Sequence, residues 1–166
     1  MNNISLAFFY ILRFWVVLFL MLKTYSCCAA LDSLPVPRFV TTKFNEVNAR
    51  IGPDQDYPID WVFTSAKEPV EIIAQYGNWR KISDITGEGG WVHSRVLSGK
   101  RAVIINSSDL LNLYSSSNKN SQIIAHLEHN LRCDLIKCKT KWCKISCKNH
   151  TGWVERKKIW GIYEHE

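Results

Sequence analysis

VNARIGPDQDYPIDWVF (47–63) and LNLYSSSNKNSQIIAHL (111–127) open two stretches of this chain that follow one plan. The first continues through VEIIAQYGNWRKIS (70–83) to GGWVH (89–93), the second through CDLIKCKTKWCKIS (133–146) to TGWVE (151–155). Asn48/Asn112, Ile72/Leu135, Trp79/Trp142, Ile82/Ile145 and Trp91/Trp153 fall in step at offsets of 62 to 64 residues. Self-similarity at a fixed period marks a duplicated structural unit. Within each unit, β-branched and aromatic runs alternate with turn residues. Glu46–Ile51, Ile59–Thr64, Pro69–Tyr76 and Trp79–Ser83 read as strands, with Gly77-Asn78 as a tight hairpin turn. The second unit runs Leu110–Tyr114, Gln122–Leu127, Leu131–Lys139, Lys141–Cys147 and Gly152–Glu155. No segment holds a helical period over three turns. The fold class is therefore all-β, two tandem small barrels or sandwiches.

The first 30 residues belong to a different regime. They hold no acidic residue, two basic ones (Arg13 and Lys23), the apolar run Phe14–Leu22 and small residues over Ser26–Ala30. That is the layout of a cleaved export signal. The competing reading is an uncleaved membrane anchor over Ile4–Leu22, which would leave Arg13 near mid-bilayer. Membrane association is expected only in that case. Beyond residue 30 the charge is uneven. Residues 31–100 carry 8 basic and 9 acidic side chains, net −1, and residues 101–166 carry 11 and 6, net +5. An anionic partner would meet the second half, although lysines 137, 139, 141, 144 and 148 also suit a solvated strand face.

Cys133, Cys138, Cys143 and Cys147 all lie in the second unit, an even count that reads as disulfides in an exported chain. If the hairpin turns on Thr140-Lys141, Cys138 lies opposite Cys143. Opposed residues of an antiparallel pair place their Cβ atoms roughly 4.5–5.5 Å apart, close to disulfide range. Cys133 and Cys147 point apart in regular register, and their pairing requires a bulge. A zinc site from His126, His129, Cys133 and Cys138 matches no strong ligand spacing. A cysteine held in a disulfide cannot act as a nucleophile. Trp142 among Lys139, Lys141 and Lys144 superficially resembles a nucleic-acid groove, but export argues against that partner. No catalytic residue, metal or cofactor is expected.

The N-x-R-x-G-P opening (Asn48–Pro53) followed by Tyr57-Pro58, the G-x-W-x-K-I strand (Gly77–Ile82) and the closing Gly90-Trp91-Val92 together resemble the bacterial SH3-like domain family. The tandem arrangement, the start LPVPRFV (34–40) and the end KKIWGIY (157–163) resemble exported two-domain members known from α-proteobacteria. The resemblance implies a five-to-six-stranded barrel in each half, over residues 38–100 and 101–163, after a signal segment at 1–30. It implies a non-enzymatic protein, periplasmic or secreted, that binds cell-wall peptide or peptidoglycan. Family members often sit beside a wall hydrolase, yet here the two repeats are expected to occupy all of the chain after the signal. The alternative is an envelope or secreted adaptor that docks a protein through the basic second domain.

Arg50, Asp56, Tyr57 and Trp61 are the candidate ligand-binding residues, because they flank the loop after Gly52 and combine aromatic and charged groups suited to an extended peptide. The second repeat departs here: Leu113-Tyr114-Ser115 and the Ser116–Ser121 loop replace the Arg50 segment and its Gly-Pro loop. Trp79, Trp91, Trp142 and Trp153 are expected in core or hairpin packing.

Overall fold

Strands form where the apolar runs lie, and the computed structural model describes residues 34–164 and 166. The segment read as an export signal lies outside the described residues. Seven strands make the first sheet: β1 (Arg38–Thr42), β2 (Val47–Arg50), β3 (Ile59–Phe63), β4 (Pro69–Tyr76), β5 (Trp79–Ser83), β6 (Gly89–His93) and β7 (Leu97–Ser98). Seven make the second: β8 (Ala102–Ile105), β9 (Leu111–Tyr114), β10 (Ile123–Leu127), β11 (Arg132–Lys139), β12 (Trp142–Cys147), β13 (His150–Glu155) and β14 (Ile159–Trp160). The orders β3-β2-β6-β5-β4-β1-β7 and β10-β9-β13-β12-β11-β8-β14 are the same topology twice. These are two tandem SH3-like barrels of curled antiparallel sheet.

Each sheet exceeds the expected five to six strands. Arg38–Val40, part of the segment resembling the family's Pro-rich start, pairs with Val70–Ile72, and the short β7 pairs back on Thr41 and Thr42. Ala102–Ile105, at the junction of the repeats, belongs to the second sheet, paired with Arg132–Asp134 and Ile159–Trp160.

The two cores match position for position. Val47, Ala49, Phe63, Ile82 and Val92 line the first, and Leu111, Leu113, Leu127, Ile145 and Val154 the second. Val70 in the first core has Cys133 as its counterpart in the second. The inward positions alternate with exposed ones, as a period of two requires. The four repeat tryptophans are half-buried rather than central. Trp79 packs edge-on to His93 at 5.6 Å and Trp142 edge-on to Tyr114 at 5.5 Å, so they brace hairpins.

Two disulfides cross the second barrel. Cys138 and Cys143 face each other across the β11–β12 hairpin, and Cys133 joins Cys147. A register shift between Leu135 and Lys137 brings Cys133 and Cys147 onto one side. At the register position of Cys138 and Cys143 the first barrel has Gln75 and Arg80. Arg80 is buried and donates to the carbonyls of Gly77 (2.6 Å) and Trp79 (2.8 Å), tying the turn by hydrogen bonds where the second barrel uses a covalent bond.

The barrels pack against each other. Arg132 of β11 makes a forked contact with the buried Glu68 carboxylate at 2.8–2.9 Å. Phe39 of β1 packs against Trp160 at 5.0 Å and Tyr163 at 4.7 Å. The Tyr163 hydroxyl donates to Glu71 at 2.6 Å. Among the described residues, no helix is long and apolar enough to cross a membrane.

Candidate functional site

Arg50 ends β2 beside a register shift against β3, and a bulge there redirects a side chain. Its guanidinium donates to the Tyr57 carbonyl at 2.6 Å, and the Ile51 amide to the Pro58 carbonyl at 3.2 Å, so both cinch the Ile51–Pro58 loop. The Tyr57 ring lies over Gly52. A Cβ on that glycine would stand 2.6 Å from the ring, which is why the G-P opening has no side chain there. Asp54 accepts from the Asp56 amide at 3.2 Å, an Asx turn that shapes the loop tip. Trp61 stands opposite Ala49 on edge strand β3, partly exposed, with Ile59 and Val62 exposed beside it.

A cleft of about 350 Å³ opens beside Arg50. Arg50, Ile51, Asp60, Lys81, Glu88 and Trp91 contribute to its walls, with Gly87 at the β5–β6 turn and Gly89 and Gly90 at the start of β6. Trp91 is the cross-strand neighbour of Arg50 and Lys81. Asp84 organises that turn by accepting from the amides of Thr86 (2.8 Å) and Glu88 (3.0 Å). The lining is charge-balanced, two cations facing two carboxylates. Such a lining offers both signs to one ligand, with Trp91 between the two cations in the sheet.

Of the four residues singled out from sequence, Arg50 alone lines this cleft. Asp56 and Tyr57 lie on the adjoining loop and Trp61 on the edge strand. Asp60, Lys81 and Glu88 reach the cleft from β3, β5 and the β5–β6 turn; Lys81 is the lysine of the G-x-W-x-K-I strand, and no local motif marks Asp60 or Glu88. Their signal was the pairing of β2 with β6, which sets Trp91 across from Arg50. At the equivalent place in the second barrel Lys137 lies over the Trp153 ring at 5.8 Å, a cation–π contact on the matching surface. His126 Nδ1 donates to the Asn112 amide oxygen at 2.8 Å and His129 meets the Ser107 carbonyl at 3.1 Å.

A family model for the bacterial SH3 domain matches residues 43–99 and 107–161, and the chain belongs to that family. The chain is 26% identical over 125 residues to a putative N-acetylmuramoyl-L-alanine amidase, YrvJ, of Bacillus subtilis; the match takes in 69% of this chain and 24% of that relative. The chain thus spans about a quarter of that relative's length. NlpC1 of Trichomonas vaginalis is similar over 80% of this chain and 48% of its own, at 15% identity and a TM-score of 0.34. NlpC2 of the same organism is similar over 76% and 49%, at 16% identity and a TM-score of 0.35.

Proposed function

We propose that this chain is a non-enzymatic extracytoplasmic binding protein that recognises cell-wall peptide or peptidoglycan through its first barrel. The observation that carries this reading is the charge-balanced cleft beside Trp91, walled by Arg50 and Lys81 against Asp60 and Glu88. A short peptide bearing an amine and a carboxylate complements both pairs, and its apolar atoms lie against the tryptophan. The Tyr57 loop and the exposed Trp61 extend the contact beyond the cleft, with Asp56 at the loop tip. Similarity to a relative named for N-acetylmuramoyl-L-alanine supports a sugar–peptide polymer as the ligand. The two disulfides support an oxidising compartment, periplasmic or secreted.

Co-sedimentation of the full chain with purified peptidoglycan, at low and high salt, tests the reading. Pelleting that survives salt is expected, because the apolar contact with the Trp91 ring is not screened, although the exposed charges of Asp60, Lys81 and Glu88 are. Tyr57→Ala should weaken it by about tenfold, as for an aromatic anchor, while the chain stays folded by circular dichroism. Absence of pelleting, or pelleting lost in salt, overturns the wall reading. The latter result would favour an envelope-protein adaptor working through the basic second barrel.

A further inference from the structure

We propose that the second barrel carries a separate site for an extended acidic peptide, in the cavity between the Thr140–Lys141 turn and the segment after β14. This site stands whatever the first barrel binds. The cavity measures about 830 Å³, more than twice the first-barrel cleft and within the roughly 300–1,000 Å³ of small-ligand pockets. Lys119, Lys141, Arg156 and Lys157 wall it, against Glu155 and Glu164.

The cations outnumber what the carboxylates can neutralise. Glu155 already holds Lys119 at 2.9 Å and Lys157 at 3.8 Å. Lys141 is exposed, with no acidic partner among the described residues. Arg156 is only 9% exposed. Its two Nη atoms donate to the backbone oxygens of Tyr163 and Glu164 at 2.8 Å and to the main-chain oxygen of Glu166, while its Nε is buried without a partner among the described residues. Arg156 is held by these oxygens, so the open positive charge at the cavity is that of Lys119, Lys141 and Lys157 against Glu155 and Glu164.

The two repeats sharpen the point. The Arg156 amide donates to the Lys141 carbonyl at 2.9 Å, just as the Ser94 amide donates to the Asn78 carbonyl at 2.8 Å. One scaffold therefore carries Asn78 and Ser94 in the first barrel, and Lys141 and Arg156 in the second. Lys141 and Arg156 are thus particular to the second barrel, whereas Lys157 has Arg95 as its counterpart in the first.

Shape selects a peptide. Ile162 and Tyr163 form a half-buried apolar floor, and none of the lining residues is among the large exposed hydrophobic side chains that could enter a bilayer. The Tyr163 hydroxyl is anchored on Glu71, which fixes the floor before any ligand arrives. An extended chain can lay an apolar side chain on that floor and a carboxylate against Lys141 and Lys157.

The test is fluorescence anisotropy of the full chain with a fluorescein-labelled, end-blocked peptide Ala-Glu-Leu-Glu-Ala. Saturable binding is expected, and Lys141→Glu/Lys157→Glu should weaken it by about tenfold or more, as for reversed charges at a complementary surface. The equally charged control Lys43→Glu/Lys100→Glu should change it by less than about twofold. A single Lys141→Gln, which adds no repulsion and leaves the barrel's packing alone, should still weaken binding. Absent binding, or equal loss in the site variant and the control, overturns the proposal. So does tighter binding to phosphatidylglycerol vesicles that the same site variant abolishes. Peptidoglycan pelleting by the first barrel is read separately and is expected to survive both double variants.

Discussion

Gly90 and Gly152, the glycines of the two G-W-V motifs, show how one residue type shapes both barrels. A Cβ on Gly90 would stand 2.7 Å from the Arg50 carbonyl oxygen, and one on Gly152 would stand 2.6 Å from that of Tyr114. At each place β6 or β13 crosses close to β2 or β9, and only hydrogen fits between the backbones. Gly152→Ala should therefore destabilise the protein by about 1–3 kcal/mol, the usual cost of overpacking. Gly99→Ala, where a Cβ meets nothing within 4 Å, should be near neutral in the same urea melts. The repeat glycines are visible in the sequence as motif positions. The backbone atoms they admit are not, because the partner strand lies about 40 residues away.

Hairpins are the elements on which the two halves differ. The first barrel ties its β4–β5 turn with Arg80, and the second clamps the β11–β12 turn with Cys138–Cys143 and the hairpin base with Cys133–Cys147. The separations of 5 and 14 residues set the chain entropy each bond removes from the unfolded state. Replacing Cys138 and Cys143 by alanine should cost about 2 kcal/mol, and replacing Cys133 and Cys147 about 3 kcal/mol, in denaturant unfolding. The second loss falls in the core, where both cysteines are buried. Strand positions were legible because β-branched and aromatic runs between Gly, Pro and Asn turns are a local signal. The seventh strands were not, since Arg38–Thr42 and Leu97–Ser98 become strands only by pairing with each other and with β4.

Across the whole molecule, the segment after β14 joins the barrels. Tyr163 meets Phe39 and donates to Glu71, and Arg101 lies over the Phe39 ring at 5.8 Å. Burial, then the hydrogen bond to Glu71, raises the Tyr163 pKa above the ordinary tyrosine value. A raised folded-state pKa means the stabilisation is complete below the unfolded value, about 10, and is lost as pH rises above it. The melting-temperature gap between wild type and Tyr163→Phe should therefore stay constant from pH 7 to 9 and change above about pH 10, with wild type losing ground. A gap independent of pH would mean that the hydroxyl contributes nothing through its protonated form. The Glu68–Arg132 fork belongs to the same interface, and the carboxylate hydrogen bond holds the arginine pKa above its usual value.

The sequence by itself determined the duplication, the all-β class, the family resemblance and the loop carrying Arg50 and Tyr57, because each is written in local pattern or in the spacing between repeats. Tertiary structure alone decided which side chains share a cleft. Asp60, Lys81, Glu88 and Trp91 meet Arg50 only because β3, β2, β6 and β5 are neighbours in the sheet, an order set by long-range pairing. Likewise Asn78 and Lys141 occupy equivalent turn positions because each carbonyl accepts the same backbone hydrogen bond, from Ser94 and from Arg156. Local propensity selects strands, but burial of one shared core selects the partners they bring together.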